Sequence, residues 1–576
     1  MHSTIFTEQF CTTSCSISKN FWMPRSFSSY SSRQIMLQQP LFQNDRFKHH
    51  WHGIFSSVTQ YMQNFTTNYH PKCNNLGSFP FWSGTNVMTV GNNKGTANLD
   101  AYQLGLGNVN TDKNGIAGVI QLNPKIQHVG SDLMLYLIQD KQQWGIFFKL
   151  NAPIGAMIIN PQFKELQTAQ PDDQFSFTQV TANPASSTIT YQFPFYPPPA
   201  RRQSSVSEAF FGGTCSSNSL DGNVSKFIRL RKARIAACPL TTIRIGDISA
   251  SLGCNVISSD KGFFNIAFKS SFPTGNVPTA DYMLEPVFGR AGSWGVGTEL
   301  FGSYHAWSDD HAKNINLYVQ AEILHLLPGR KPNFRCFDLK KNGPGSKYLL
   351  LQEYTSTYSP NNPPTLSSQI VTDQYLTPAA NITTLPVISQ TAAEGSVAVM
   401  IDLSNNNWNF SLGGEFWGRT HETLAIDMTS ALNLRSQNLN DFAVIGRQVS
   451  WYRIDGQGNL STYYCEPEAT ISKSQDAVQL VGSINTVAAP TVLPAGIKDG
   501  RLSINRIPAN VNEALDIKGA QTTAIITGNL FGKCGYTWKD SPFTPSIAII
   551  MSTELTGTTN NGVNLWSFGC LGSLNF

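Results

Sequence analysis

Residues 408 to 418 read WNFSLGGEFWG, and sorting them by parity separates two chemistries. Trp408, Phe410, Leu412, Gly414, Phe416 and Gly418 fall on one face, while Asn409, Ser411, Gly413 and Glu415 fall on the other, joined there by Trp417. Side chains alternate across a strand, so this spacing predicts a β-strand lying between an apolar and an aqueous phase. The chain closes in the same way, with Trp566, Phe568, Cys570, Gly572, Leu574 and Phe576 in one phase against Ser567, Gly569, Ser573 and Asn575. Further amphipathic segments occupy 133–139, 144–152, 248–258, 264–272, 294–306, 314–326, 396–403, 523–538 and 546–555. Membrane barrels are built from segments of roughly 10 residues that are apolar outward and polar inward. The pattern therefore predicts an all-β fold, a transmembrane antiparallel β-barrel. A soluble β-sandwich or β-helix is the alternative, because half-buried strands alternate too.

Barrel turns are short on the periplasmic side and long outside. With a periplasmic C-terminus, the tight turn Asn405-Asn406-Asn407 and the connection 539–545 fall inside, and the long gaps 327–395 and 419–522 become extracellular loops. Eleven strands follow, and an even barrel takes one more upward strand, assigned to 102–108 or 116–122. The expectation is about 12 strands, or 14 or 16 if hairpins lie within 153–247 or 419–522. A repeat supports the assignment: Ile146, Phe148, Lys149, Pro153 and Gly155 match Ile266, Phe268, Lys269, Pro273 and Gly275. Each copy ends on a proline and a glycine, which stop ladder pairing. The repeat places Lys149 and Lys269 at similar heights in the inward phase. Residues 1–95 lack sustained period two and are expected to form an irregular N-terminal segment, a periplasmic extension or a lumen plug, ahead of a barrel spanning 96–576.

Composition narrows the class. Charged residues are 14% and aromatic residues 11% of the 576. No stretch approaches the roughly 18 to 20 apolar residues of a membrane helix, so any span is β, and a closed barrel is the only β structure that pairs its whole backbone in lipid. A net charge of +4 without a basic stripe excludes a nucleic-acid partner. The ten cysteines form no zinc spacing. Cys254, Cys534 and Cys570 fall in the apolar phase as small hydrophobes, and Cys11 and Cys15 are close enough in sequence to pair. The opening MHSTIFTEQFCTTSCS has no basic region followed by an apolar core, so the export signal that a barrel requires is not visible in it.

Candidate chemistry concentrates in the inward phase. Lys149, Lys269 and Lys533 alternate with Glu299, Glu322, Glu415 and Glu554 among Asn265, Ser271, Gln320, Asn409 and Ser411. Buried charges are paired or hydrated. Gly145, Gly295, Gly297 and Gly413 share the phase and leave space, which favours a hydrated, pore-lining set over a packed lumen. The segment His49-His50-Trp51-His52 near Asp45 is read as an aromatic, partly solvated stretch rather than a metal site, and no cofactor is expected. Ser308-Asp309-Asp310-His311 is the only acid and histidine grouping with a hydrolytic flavour. Its residues are consecutive on a turn, and no GxSxG, P-loop or dinucleotide fingerprint occurs, so the protein is not expected to be an enzyme. Arg229, Arg231, Lys232 and Arg234 are read as a solvated loop, and Arg330, Lys331, Arg335, Lys340, Lys341 and Lys347 as loop cations able to meet lipopolysaccharide phosphates.

In FPTGN to EPVFG (272–289), GGEFWGR (413–419) and the terminal WSFGCLGSLNF, the chain resembles porin-like bacterial outer-membrane barrels, particularly large barrels of Gram-negative intracellular bacteria. The resemblance implies an outer-membrane location, lipid and lipopolysaccharide as surroundings, and an assembly signal for the barrel-assembly machinery at Leu574 and Phe576. It also implies a passive or weakly selective pore for small hydrophilic solutes. A structural or surface-interaction barrel and a hydrophobic-solute transporter are the alternatives, and homo-oligomerisation is left open.

Overall fold

The computed structural model describes residues 25–43, 51–65, 87–91, 97–101, 103–106, 115–139, 145–169, 203–213, 226–259, 261–309, 313–355, 371–433, 439–444, 449–454, 460–463, 470–471, 502–504, 507–541, 543–556 and 563–576. Twelve strands form the wall: β1 (Trp51–Asn64), β2 (Lys125–Gln139), β3 (Gly145–Asn160), β4 (Ile248–Ser258), β5 (Gly262–Phe272) and β6 (Trp294–Ser308). They continue as β7 (Lys313–Leu327), β8 (Thr384–Asn405), β9 (Trp408–Arg419), β10 (Ile525–Thr537), β11 (Ser546–Thr556) and β12 (Leu565–Asn575). Each pairs antiparallel with its neighbours in sequence, and β12 pairs with β1, so the sheet closes without an edge.

Eleven of these strands are those the alternation predicts. The twelfth is Trp51–Asn64, inside the segment expected to be irregular, so the wall begins at 51 rather than 96. Residues 116–121 form a short strand in a separate small sheet, and 103–105 form a turn. The physical reason is visible in β1 itself. Its outward face carries Ser57 and Thr59 among Phe55 and Tyr61, which erases the apolar half of the period. Across the β1–β2 seam, Thr59 and Ser131 satisfy each other's hydroxyls at 2.7 Å.

The lipid-facing phase is the predicted one. Phe410, Leu412 and Phe416 are 50%, 71% and 73% exposed, whereas Asn409, Ser411 and Glu415 are buried. Rings mark both margins of this belt, Phe272 against Trp294 and Tyr61 against Trp566 at one, Trp408 against Tyr536 and Tyr536 against Trp538 at the other. Aromatic girdles bounding an apolar band are the outer surface of a bacterial outer-membrane barrel, and the chain is placed there on this architecture. Cys254, Cys534 and Cys570 are exposed on it.

Short connections share one rim and long ones the other. At the short-turn rim Asn406 takes φ 53°, a left-handed conformation that asparagine tolerates in a two-residue hairpin loop. At the long-loop rim the connections fold onto one another around Leu99, Phe210, Phe337, Tyr348, Leu351 and Phe442, and this core runs down to Met62, Ile126 and Met157 of the wall. A second core fills the lower lumen around Phe42, Tyr136, Phe147, Phe263 and Phe301.

Candidate functional site in the lumen

The lumen holds residues from the N-terminal segment: a 3-10 turn Phe27–Ser29, helix α1 (Ser31–Gln38) and a second 3-10 turn Gln39–Gln43. Every residue of α1 is buried, polar ones included. No side chain of its own caps the helix. Instead the amide of Ser31 donates to Glu415 Oε1 at 2.9 Å, so a carboxylate of the wall satisfies a free helix N–H and meets the positive end of the dipole. Pro40 follows at the other end, where the α-helix gives way to the 3-10 turn. Residues 25–43 thus pack against the inward face of the wall, and this stretch is termed the plug below.

Glu415 and Glu554 belong to one level of the wall. Asn529 of β10 is the register partner of Glu415 on β9 and of Glu554 on β11, so the carboxylates flank an amide on three adjacent strands. Arg25 of the plug bridges them, pairing through Nη2 with Glu415 and through Nη1 with Glu554 at 3.3 Å. Ser32 Oγ and Asn529 Nδ2 donate to the second oxygen of Glu415 at 2.7 and 3.1 Å. Tyr30 and Thr527 donate to Glu554 at 2.7 and 2.6 Å. The guanidinium of Arg25 faces the rings of Tyr30 at 3.8 Å and Trp417 at 5.1 Å.

The opposite wall repeats this arrangement with the charges reversed. Ser251 of β4 is the register partner of Lys149 on β3 and of Lys269 on β5, which confirms the common height that the repeat implies. Two carboxylates stand opposite each other on the next strands, Glu299 against Glu322. Like charges in direct register repel, and the lysines resolve this: Lys149 pairs with Glu299, and Lys269 with Glu322 and with Glu299 at 3.6 Å. Ser251 and Gln320 complete the coordination of Glu299 at 2.9 and 2.8 Å. Lys533 donates to Gln39 of the plug, and register sets it across Ser411 from Asp402. Arg33 approaches Asp132 of β2 to 3.9 Å, and Ser31 Oγ lies 2.6 Å from Ser396 Oγ of β8.

All seven residues singled out from the sequence therefore point inward, are buried, and have partners. The expected open, hydrated lumen is not what the structure shows at their level. The space that the inward glycines were expected to leave is taken up: a Cβ on Gly413 would lie 2.4 Å from the ring of Phe531, and one on Gly297 would meet the Ile323 carbonyl at 1.9 Å. Sequence reasoning missed Arg25, Arg33, Trp417 and Asn529. The only local signal was the pair of arginines among aromatic residues in a segment without period two.

Other candidates disperse. Arg335 is buried and pairs with Glu422 at 2.9 Å, and Lys347 is buried, so neither is a free loop cation, whereas Arg330, Lys331, Lys340 and Lys341 are exposed. Lys232 pairs with Asp281 at 2.6 Å and Arg234 lies over the Tyr282 ring, which joins two loops. Among the described residues no group of three metal-ligating side chains occurs. His49, His50, Asp45, Asp310, His311, Cys11 and Cys15 lie outside the described residues. Leu574 and Phe576 face outward, 46% and 52% exposed, and Phe576 exchanges backbone hydrogen bonds with Gly53 of β1 at 2.8 and 2.9 Å.

No protein-family model matches the chain, and no curated protein matches it. Among solved structures it is similar to an outer membrane channel from Pseudomonas putida F1, at 8% identity and a TM-score of 0.33 over 92% of this chain and 100% of that one. It is also similar to a Pseudomonas aeruginosa FadL homologue, at 8% identity and a TM-score of 0.24 over 91% of this chain and 89% of that one. The CymD monoaromatic hydrocarbon channel overlaps at 8% identity and a TM-score of 0.25, over 96% and 94% of the two chains. Overlaps this slight transfer no function.

Proposed function

We propose that the protein is a plugged outer-membrane channel for small hydrophilic solutes, opened by withdrawal of the segment Arg25–Gln43 toward the short-turn rim, taken as periplasmic. The observation that carries this reading is the polarity of the plug's interface. At mid-height Ile35, Met36 and Leu37 of the plug join an apolar cluster with Val58, Met400 and Leu571 of the wall, while Arg25, Ser31, Ser32, Arg33, Gln38 and Gln39 meet it through polar contacts. Groups of this kind exchange protein partners for water when they separate, whereas an interdigitated apolar core exposes its area at about 25 cal/mol per Å². Removing the plug would leave a passage lined by carboxylates, amides and paired lysines, which sets the field for a polar solute.

A hydrophobic-solute transporter is the second reading, and the lower lumen supports it. Tyr136, Phe263 and Phe301 surround the Phe42 ring with centroids 6.0, 4.7 and 4.9 Å away, so withdrawal of Phe42 would present an aromatic pocket. Planar-bilayer recordings separate the two. The hydrophilic channel predicts ion conductance that rises when Arg25→Ala weakens docking; a silent variant with intact hydrocarbon uptake would favour the second.

A further inference from the structure

The wall and the plug are not separately neutral. Lys149 and Lys269 are paired with Glu299 and Glu322 within the wall, and Asp402 and Lys533 flank Ser411 by register. Nearer the long-loop rim, three buried cations, Arg290, Arg335 and Arg419, stand against three carboxylates, Asp247, Glu394 and Glu422. Glu415, Glu554 and Asp132 remain, and their cationic partners, Arg25 and Arg33, both come from the plug. Withdrawal of the plug therefore leaves uncompensated carboxylates on a buried wall, and buried charges demand a counter-ion or water.

We propose that Glu415, Glu554, Asn529 and Trp417 form a recognition site for a small solute bearing a guanidinium group, a site that Arg25 occupies as a tethered occupant while the plug is docked. The inference deepens the channel reading and rests on it for its transport consequence. Three features point to this chemistry. The two carboxylates are held on either side of Asn529 by register, and they engage different nitrogens of one planar fork, which suits guanidinium better than a compact ammonium. Trp417 supplies an aromatic face, the best cation-π partner among side chains. Finally, Asn529 Oδ1 and Trp417 Nε1 are buried without hydrogen-bond partners although both side chains are at most 2% exposed. Asn529 lies between the two carboxylates by register, and a free guanidinium, not constrained by a protein backbone, has N–H groups to offer its unused oxygen. An incoming guanidinium solute and Arg25 compete for the same oxygens, so the solute itself favours the undocked plug.

The test is calorimetric titration of methylguanidinium chloride into full-length protein in detergent, at ionic strength fixed with sodium chloride and with tetramethylammonium as a cation lacking N–H donors. Arg25→Ala is expected to bind methylguanidinium at least tenfold more tightly than the wild type, and to ignore tetramethylammonium. Adding Glu415→Gln or Glu554→Gln to Arg25→Ala should weaken binding at least tenfold, and Trp417→Leu less. Arg25→Met, which keeps the length of the stem, serves if Arg25→Ala does not fold. Equal binding by wild type and both Arg25 variants, or binding unchanged by the glutamine substitutions, overturns the site. Because the titration needs no current, binding without conductance would remove the channel reading and leave the site, whereas a conducting Arg25 variant that does not bind methylguanidinium would do the reverse.

Discussion

Lys149 and Lys269 stand at one height because both are register partners of Ser251, one from each side. Glu415 and Glu554 stand at one height for the same reason, with Asn529 between them. One strand separates the members of each pair, so an antiparallel ladder fixes their relation without direct contact. The basic pair is neutralised within the wall and the acidic pair from the plug.

An undocked channel should accordingly be cation-selective. Reversal potentials across a salt gradient in Arg25→Ala channels are expected to favour cations, and Lys149→Gln with Lys269→Gln to increase that preference by releasing Glu299 and Glu322. The preference should shrink at 1 M salt, where the Debye length is about 3 Å. Anion selectivity in the undocked channel would contradict the charge accounting.

The outward phase is tested by charge. Phe410→Arg or Leu412→Arg should cost about 2 to 4 kcal/mol near the bilayer midplane, read from folding into lipid vesicles, while Phe410→Leu should be mild. Equal tolerance of all three would mean that this face does not meet lipid.

Phe576 extends the seam that closes the barrel, beyond the ladder of Ile54–Asn64 with Leu565–Asn575. Deleting Phe576 removes both backbone hydrogen bonds to Gly53 and the terminal aromatic, and insertion measured by heat-modifiability should slow. Asn575→Ala should insert normally yet loosen the plug, because Asn575 Nδ2 donates to the Pro40 carbonyl at 3.2 Å. Normal surface levels after deletion would remove the assembly-signal argument.

At the long-loop rim, outside the strands, Asp247 accepts the amides of Gly275 and Arg290 at 3.2 and 2.6 Å. Burial pushes its carboxyl up to about 6, against the pull of Arg290 and these hydrogen bonds. The folded value exceeds the unfolded one of about 3.9, so the native state holds the extra proton. Its contribution to stability is complete below about pH 4 and is lost as pH rises through about 6. The thermal midpoint should therefore fall between pH 4 and pH 7, and Asp247→Asn should flatten that step. A step that persists in the variant would assign it to other groups.

How much the sequence discloses depends on which interaction fixes each feature. Strand phase is a one-dimensional property, so Phe410 and Glu415 sort themselves by parity, and the matching motifs around Lys149 and Lys269 reveal a shared height. β1 escapes because Ser57 and Thr59 face outward and break the apolar half of its period, Thr59 finding a hydroxyl partner in Ser131 of the next strand. The plug escapes for a different reason. Arg25 is defined by Glu415 and Glu554, which lie hundreds of residues away, and nothing beside Arg25 announces them. Inward glycines suggest room for water, and only three-dimensional packing shows Phe531 lying against Gly413.

On the proposed gating, the docked plug closes a channel that its withdrawal opens. Ser31 Oγ and Ser396 Oγ lie 2.6 Å apart across the plug and the wall, so Ser31→Cys with Ser396→Cys can bond the two covalently. In planar bilayers the oxidised double variant should be silent and should conduct after reduction, while the wild type is indifferent to the reductant. Equal conductance in the oxidised and reduced states, with the disulfide verified by mass, would contradict the account.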